Sequence, residues 1–267
     1  MDKNTGGMKK TIYFMRFYRR LEKNRIKDNI YPIVFILGYI IGLLIFYSKI
    51  TLEISNIIKQ ILSKYIAIES LNVVGKEFIP MFGPIYYLEV PTVYPEYGML
   101  VINIVICSIG LISMVAIKNI YGPMSIYLSM GFIIQIVSCV YFILSKGNFP
   151  YTACDYSELY MKQQLSIWIF LVIIIGVVIT LLGIGNIRMK LMTTIATIMY
   201  SFIFGVIRYC VYLFIIFKFS ILYMPVLFFI LGPFFDFLYL VFFYGLYINK
   251  IIKIYDSNEG RKAWKWA

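Results

Sequence analysis

Histidine is absent from the 267 residues, and that absence removes Ser-His and Cys-His catalytic pairs, zinc sites built on histidine and histidine-ligated haem. Carboxylates are scarce, 13 in all, and Asp236 is the only one that falls within an apolar run. An aspartyl protease working inside the membrane needs two carboxylates at one depth, so that chemistry is excluded too. No glycine-rich loop stands between a strand and a helix to cradle a nucleotide phosphate. Cysteine is limited to four residues, of which Cys107, Cys139 and Cys210 lie in apolar runs, where thiols behave as small hydrophobes. No disulfide framework is legible, and no cofactor or metal-ligand set is indicated. What is left for chemistry is one thiol outside the runs, Cys154, with Arg208 and Asp236.

What the chain does have is apolar surface. It is 61% hydrophobic with 24 Tyr and 22 Phe, and only 14% of its residues are charged. Such a composition is too apolar for a soluble domain and too long for a single anchor. Runs able to cross about 30 Å of hydrocarbon as helices occur near 30–48, 98–117, 121–144, 165–185, 191–217 and 223–247. The expected fold is therefore all-α, a polytopic membrane helical bundle of about six transmembrane helices. The charged lead carries Asp2, Glu22 and Asp28 and no small-residue cleavage site follows the first run, so that run is expected to be a retained anchor.

Six spans put both ends on one side. Under that arrangement 17 of the 25 Lys and Arg lie with the two tails, 7 face the opposite side, and Arg208 is inside a span. The richer side is expected to be the cytoplasm. The chain then divides into a basic cytoplasmic segment 1–29, an integral membrane domain 30–247 and a basic cytoplasmic tail 248–267, in a multi-pass plasma-membrane protein. The net charge of +12 is explained by topology and by attraction to anionic lipid of the bilayer, with no nucleic-acid partner required.

Between the first two runs, residues 51–69 place Ile54, Ile57, Ile58, Ile61, Leu62 and Tyr65 at helical spacing opposite Glu53, Lys59 and Lys64. That pattern suits an amphipathic helix on the outer surface. The following "IPMFGPIYYLEVPTVYPEYG" holds four prolines, which forbid a regular helix, and tyrosines suited to the lipid headgroup level. It reads as an interfacial loop able to roof a groove.

The last two runs share a short connection around Lys218 to Met224 and are expected to form an antiparallel hairpin. From its middle, Arg208 lies 13 residues down one arm and Asp236 lies 15 down the other. The difference is roughly 3 Å of rise, so guanidinium and carboxylate are expected to meet at one depth. Charges there are costly and normally face a cavity or a partner.

"YTACDYSELY", Tyr151 to Tyr160, reads as a helix start. Thr152-x-x-Asp155 and Asp155-x-x-Glu158 both fit a capping box, which leaves Cys154 in or just before the first turn. Free amides there favour a thiolate, whereas Asp155 and Glu158 oppose it, so a cation is needed and Arg208 is the expected supplier. With the fourth span beginning at Leu165, either the segment 145–164 folds back into a water-filled recess or the spans tilt.

The order of these groups resembles a known family. A cysteine at the start of a membrane helix, an arginine 54 residues later in "FGVIRYCVYLF" and a polar position 28 further on in "GPFFDFLYLVF" are similar to the exosortase and archaeosortase family of membrane-embedded cysteine transpeptidases. The likeness covers roughly 150–247. It implies that Cys154 is the nucleophile, that Arg208 is the family's essential arginine and that the third member falls at or beside Phe235 and Asp236. It also implies a partner, a membrane-anchored protein carrying a C-terminal sorting signal, cleaved at the outer face. The chain departs from the pattern in having Asp155 and Tyr156 after the cysteine in place of Ser or Thr and then Gly. It has Gly205 where the family has Asn three before the arginine, and no histidine at the third position.

The expected activity is that of a thiol endopeptidase or transpeptidase passing through a thioester. Cys154 attacks, Arg208 stabilises thiolate and oxyanion in a hydrated hollow that both line, and Asp236 holds the arginine or takes a proton. Two other readings stay open. In one, Arg208 and Asp236 form an ion pair that fixes two helices while Cys154 is an idle loop thiol. In the other, the chain is a transporter or substrate-capture subunit.

Overall fold

The computed structural model describes residues 26–65, 71–80, 82–117, 122–145, 149–181 and 187–256. The segments 1–25 and 257–267, which hold most of the two expected basic tails, lie outside the described residues. Six long helices are present: α1 Ile26–Tyr65, α2 Tyr97–Ile117, α3 Gly122–Ser145, α4 Ala153–Leu181, α5 Ile187–Lys218 and α6 Gly232–Asp256. Among the described residues, six helical stretches are long and apolar enough to cross a membrane. The chain is a multi-pass membrane protein of the helical class, as its composition requires.

Two helices differ from expectation in extent. The amphipathic stretch is not a separate surface helix but the continuation of the first span in α1, a rod of 40 residues, about 60 Å long. Nothing between Ser48 and Thr51 breaks the helix, and Thr51 Oγ1 bonds back to the Ser48 carbonyl at 3.1 Å. Ile54, Ile58 and Leu62 are buried as the spacing predicts, whereas Ile57, Ile61 and Tyr65 are exposed. Residues 66–69 of the expected helix lie outside the described residues.

The fourth span begins at Ala153 and not at Leu165, so the expected fold-back of 145–164 is replaced by helix from 153 onward. Hydropathy hides the first three turns, because their polar residues Ser157, Glu158 and Gln164 are buried against polar partners.

The proline-rich stretch is not only a loop: its first half forms one strand of a pair whose other strand directly precedes it. β1 Asn72–Ile79 and β2 Gly83–Glu89 pair antiparallel with Asn72 opposite Glu89 and Lys76 opposite Ile85. The return is made at Gly83, whose φ of 102° favours glycine. Its carbonyl accepts from the Tyr47 hydroxyl. An isolated two-stranded hairpin is marginal in water. This one is fastened by Tyr86 N donating to Thr51 Oγ1 at 3.2 Å and Leu88 N donating to the Tyr209 hydroxyl at 3.0 Å.

The described chain forms two compact units. Of the described residues, one comprises 26–40, 170–181, 187–198 and 240–256, with a small core of Ile175, Tyr247 and Ile251 against which Met189, Leu240 and Ile248 pack. The other comprises Ile41–Ile169 and Met199–Tyr239. It contains the hairpin, α2 and α3, where the Phe132 ring fills the place a side chain at Gly110 would occupy. All three residues singled out for chemistry belong to this second unit.

Candidate functional site

Cys154 sits in the first turn of α4, and the capping box ahead of it is closed in both directions. Thr152 N donates to Asp155 Oδ2 at 2.8 Å, and Asp155 N donates to Thr152 Oγ1 at 3.2 Å. Ala153 N is taken by Thr92 Oγ1 at 3.0 Å, and Tyr156 N by the Thr152 carbonyl at 3.1 Å. Among the described residues the Cys154 amide is then the first-turn donor with no intramolecular acceptor. The thiol is half-buried and opens on a recess of about 580 Å³ lined by Asn72, Glu89, Val90, Pro91, Thr92 and Thr152.

The electrostatics of this recess come from the hairpin and from α4. Glu89, Asp155 and Glu158 all act on the Cys154 thiol. Glu158 is engaged by Lys76 Nζ at 2.9 Å and by Lys162 one turn along the helix. The Glu158 carboxylate holds the Lys76 ammonium above its usual range, and the Cys154 sulfur adds to that effect. Lys76 thus joins the hairpin to the acidic start of α4 beside the thiol. The Tyr87 hydroxyl interacts with the same sulfur, and burial, with the thiol and Glu158 beside it, pushes Tyr87 up to about 12. It stays a neutral hydroxyl at physiological pH.

Arg208 lies elsewhere. Its guanidinium is 4% exposed and fully engaged. Nε donates to the Tyr160 hydroxyl at 2.8 Å, Nη2 to Gln164 Oε1 at 2.8 Å and Nη1 to the Gly232 carbonyl at 2.9 Å. Nη1 also stands 3.1 Å from Asp236 Oδ1. The rings of Tyr160 and Phe204 lie 5.5 and 5.8 Å from the guanidinium carbon. Asp236 Oδ1 accepts in addition from the Tyr239 hydroxyl at 2.9 Å, and Tyr239 is joined to Ser201 at 2.8 Å. The equal-depth expectation for Arg208 and Asp236 is met.

Among the described residues, the recess at Cys154 is not the expected hollow shared with Arg208. Arg208 does not line the recess at Cys154, and its hydrogen bonds run to Tyr160, Gln164 and α6. The cause is helical geometry. Tyr160, the nearest of its α4 partners in sequence, is six residues past Cys154, about 9 Å along the axis and about 240° around it. The structure brings Arg208 and Asp236 together, and among the described residues neither of them lines the recess at Cys154.

Sequence reasoning missed the residues that complete each site. Tyr160 and Gln164, at i and i+4, carry a signal in their shared helix face. Gln164 reaches Arg208 only because position 205 is glycine, where an added Cβ would stand 2.6 Å from Gln164 Nε2. The Tyr160 hydroxyl donates to the Gly205 carbonyl at 2.9 Å. Gly232 presents its carbonyl directly after a π-helical turn, Leu227–Leu231, a local widening often found at functional positions. Tyr87, Glu89 and Asn72 were invisible because they reach the thiol through strand pairing, which helical spacing cannot report. No protein-family model, no curated protein and no solved structure matches this chain.

Proposed function

We propose that the chain is a membrane-embedded cysteine endopeptidase or transpeptidase with its reacting centre in the Cys154 recess, and that the Arg208–Asp236 pair positions the helices around it. The observation that carries this reading is a half-buried thiol at a capped helix start, opening on a recess lined by amide, hydroxyl and carboxylate groups. Cys154 Sγ attacks a peptide carbonyl, a C–S bond forms, the C–N bond breaks, and the thiol proton leaves on the departing amine. An incoming amine, hydroxyl or water then resolves the thioester. The unpartnered Cys154 amide and the Asn72 carboxamide are the donors for the oxyanion, and Glu89 receives the proton of the incoming nucleophile. The substrate is a membrane-anchored protein bearing a C-terminal sorting signal. The recess faces the outer side of the plasma membrane, opposite the lysine- and arginine-rich tails.

A second reading is favoured by one observation, the closure of Arg208 on its own partners. There the pair is structural and the chain is a non-catalytic transporter or substrate-capture subunit. The two separate on trapping an acyl group at Cys154. Membranes containing the wild-type chain and a labelled sorting-signal peptide yield a hydroxylamine-sensitive adduct that Cys154→Ala lacks. If no adduct forms and Cys154→Ala keeps full biological activity, the enzyme reading is lost.

A further inference from the structure

The strand pair β1–β2 has one closed edge and one open edge. Tyr86 N and Leu88 N donate to Thr51 Oγ1 and to the Tyr209 hydroxyl, so both amides point away from β1, and α1 and α5 take up the outer edge of β2. In an antiparallel ladder the residues opposite such positions also turn their main-chain groups outward. Gly75 lies opposite Tyr86, and Val73 opposite Leu88. Each therefore presents an N–H and a C=O along the far edge of β1, where none of these groups has a hydrogen-bond partner among the described residues.

Sheets normally guard such an edge with charged side chains or cover it. The charges of β1 stand at the end nearer the turn: Glu77, and Lys76, whose ammonium is drawn 2.9 Å from Glu158 on α4. The half Val73–Gly75 carries none. Gly75 is exposed, and the Tyr86 ring takes the place of its side chain, 2.8 Å from where a Cβ would stand. Glycine inside a strand often marks a place where another backbone comes close. This unguarded half runs directly into Asn72, which lines the Cys154 recess together with Glu89. An extended peptide matches the edge by its repeat, because it turns a donor and an acceptor to one side at every second residue. A helix has used those groups within itself, and a second copy of the chain would close the edge while leaving the recess at its end unused.

We propose that the substrate segment beside the scissile bond binds as an added strand on Val73–Gly75, its main chain paired to β1 and the next peptide group carried past Asn72 to Cys154. The inference rests on the thiol reading and narrows its substrate to a protein whose cleaved segment is extended. Its test needs no turnover. The full chain, carrying Cys210→Ala to remove the other half-buried thiol, is labelled with 15N-glycine and purified in neutral detergent. A heptapeptide of alternating threonine and valine, ending in a cysteine activated as its pyridyl disulfide, is then attached: Cys154 Sγ bonds to the peptide sulfur, and pyridinethione leaves with the proton. Exchange of the Gly75 amide proton is expected to slow at least about tenfold on attachment. Val73→Pro, tolerated where a strand N–H faces outward, is expected to remove about two- to tenfold of that protection. Should this variant fail to fold, peptides N-methylated at every second residue replace it, and one of the two alternating patterns is expected to lose the protection while the other keeps it. No change at Gly75 overturns the proposal, as does a recess that admits no peptide. So does protection present before attachment, whether from a second copy or from another segment of the chain. Full protection in Val73→Pro, or equal behaviour of the two N-methyl patterns, overturns it as well. An acyl adduct at Cys154 without strand protection defeats this proposal alone, whereas protection without any acyl adduct loses the enzyme reading and leaves the strand site.

Discussion

Arg208 Nη1 and Asp236 Oδ1 stand 3.1 Å apart in the interior of the second unit, with side-chain exposures of only 3% and 11%. A pair this deep owes its value to completeness: the guanidinium is held on all sides, whereas Asp236 Oδ2 has no partner among the described residues. Removing one partner strands the other, which typically costs about 3–5 kcal/mol, while replacing both by apolar groups is often neutral. Asp236→Ala is therefore expected to be strongly destabilised in detergent unfolding, and Arg208→Met with Asp236→Leu to recover most of the loss. A double variant no more stable than the single one would show that the pair holds α5 and α6 by more than its own charge balance.

Gly205 makes a sharper test, because ordinary helix propensity and local packing have opposite signs there. Alanine in a helix interior is worth about 0.5–1 kcal/mol over glycine. At Gly245, where nothing lies within 4 Å of an added Cβ, Gly→Ala is expected to stabilise by that amount. At Gly205 the same atom meets Gln164 Nε2 at 2.6 Å and Cδ at 2.7 Å, so Gly205→Ala is expected to cost about 1–3 kcal/mol and to free Gln164 from Arg208. Thermal unfolding of the two variants side by side reads the difference.

The six spans and the Arg208–Asp236 meeting were legible because both depend on length, hydropathy and rise per residue, which sequence spacing carries. The start of α4 was legible through Thr152 and Asp155, whose side chains close the box that their spacing implies. What was not legible came from pairing across distance. Nothing in "NVVGKEFI" or "GPIYYLE" fixes a register until Thr51 and Tyr209 take up the Tyr86 and Leu88 amides. The partner of Cys154 was misassigned for the same reason. Depth alone suggested Arg208, whereas rotation about α4 turns the thiol toward the hairpin, where Lys76, Tyr87 and Glu89 are found.

The cap itself gives a local prediction. Thr152→Ala removes the acceptor for Asp155 N and one donor to Asp155 Oδ2, a loss of about 0.5–2 kcal/mol. Faster amide exchange is expected across 153–158, with no change in the α2 and α3 pair. Uniform exchange along α4 would mean that the tertiary contacts of Tyr156 and Tyr160 hold the turn without its cap.

Tyr87 supplies a pH dependence whose sign follows from its environment. Its hydroxyl titrates near 12 in the fold against an ordinary value of 10, so the fold favours the neutral form. The resulting stability is complete below about pH 10 and is lost as pH rises through 12. Alkaline unfolding of the wild type between pH 10 and 12 is expected to be steeper than that of Tyr87→Phe, which has no proton to lose there. Superimposable curves would show that the hydroxyl is free to ionise and that its contact with Cys154 is not maintained.

Asn72 tests whether the recess acts on a reacting carbonyl or merely encloses a thiol. In the proposed reaction its carboxamide meets the oxyanion only after Cys154 has attacked, so its loss falls on the chemical step. One such donor is typically worth about 10²–10³ in rate. Asn72→Ala is expected to lower kcat by that factor while KM for a sorting-signal peptide stays nearly unchanged, because ground-state binding does not use the donor. Glu89→Gln is expected to slow thioester resolution more than its formation, so the trapped adduct at Cys154 accumulates in that variant and not in Asn72→Ala. Equal adduct levels in wild type, Asn72→Ala and Glu89→Gln would remove the oxyanion and base roles together and leave Cys154 reacting as an ordinary accessible thiol.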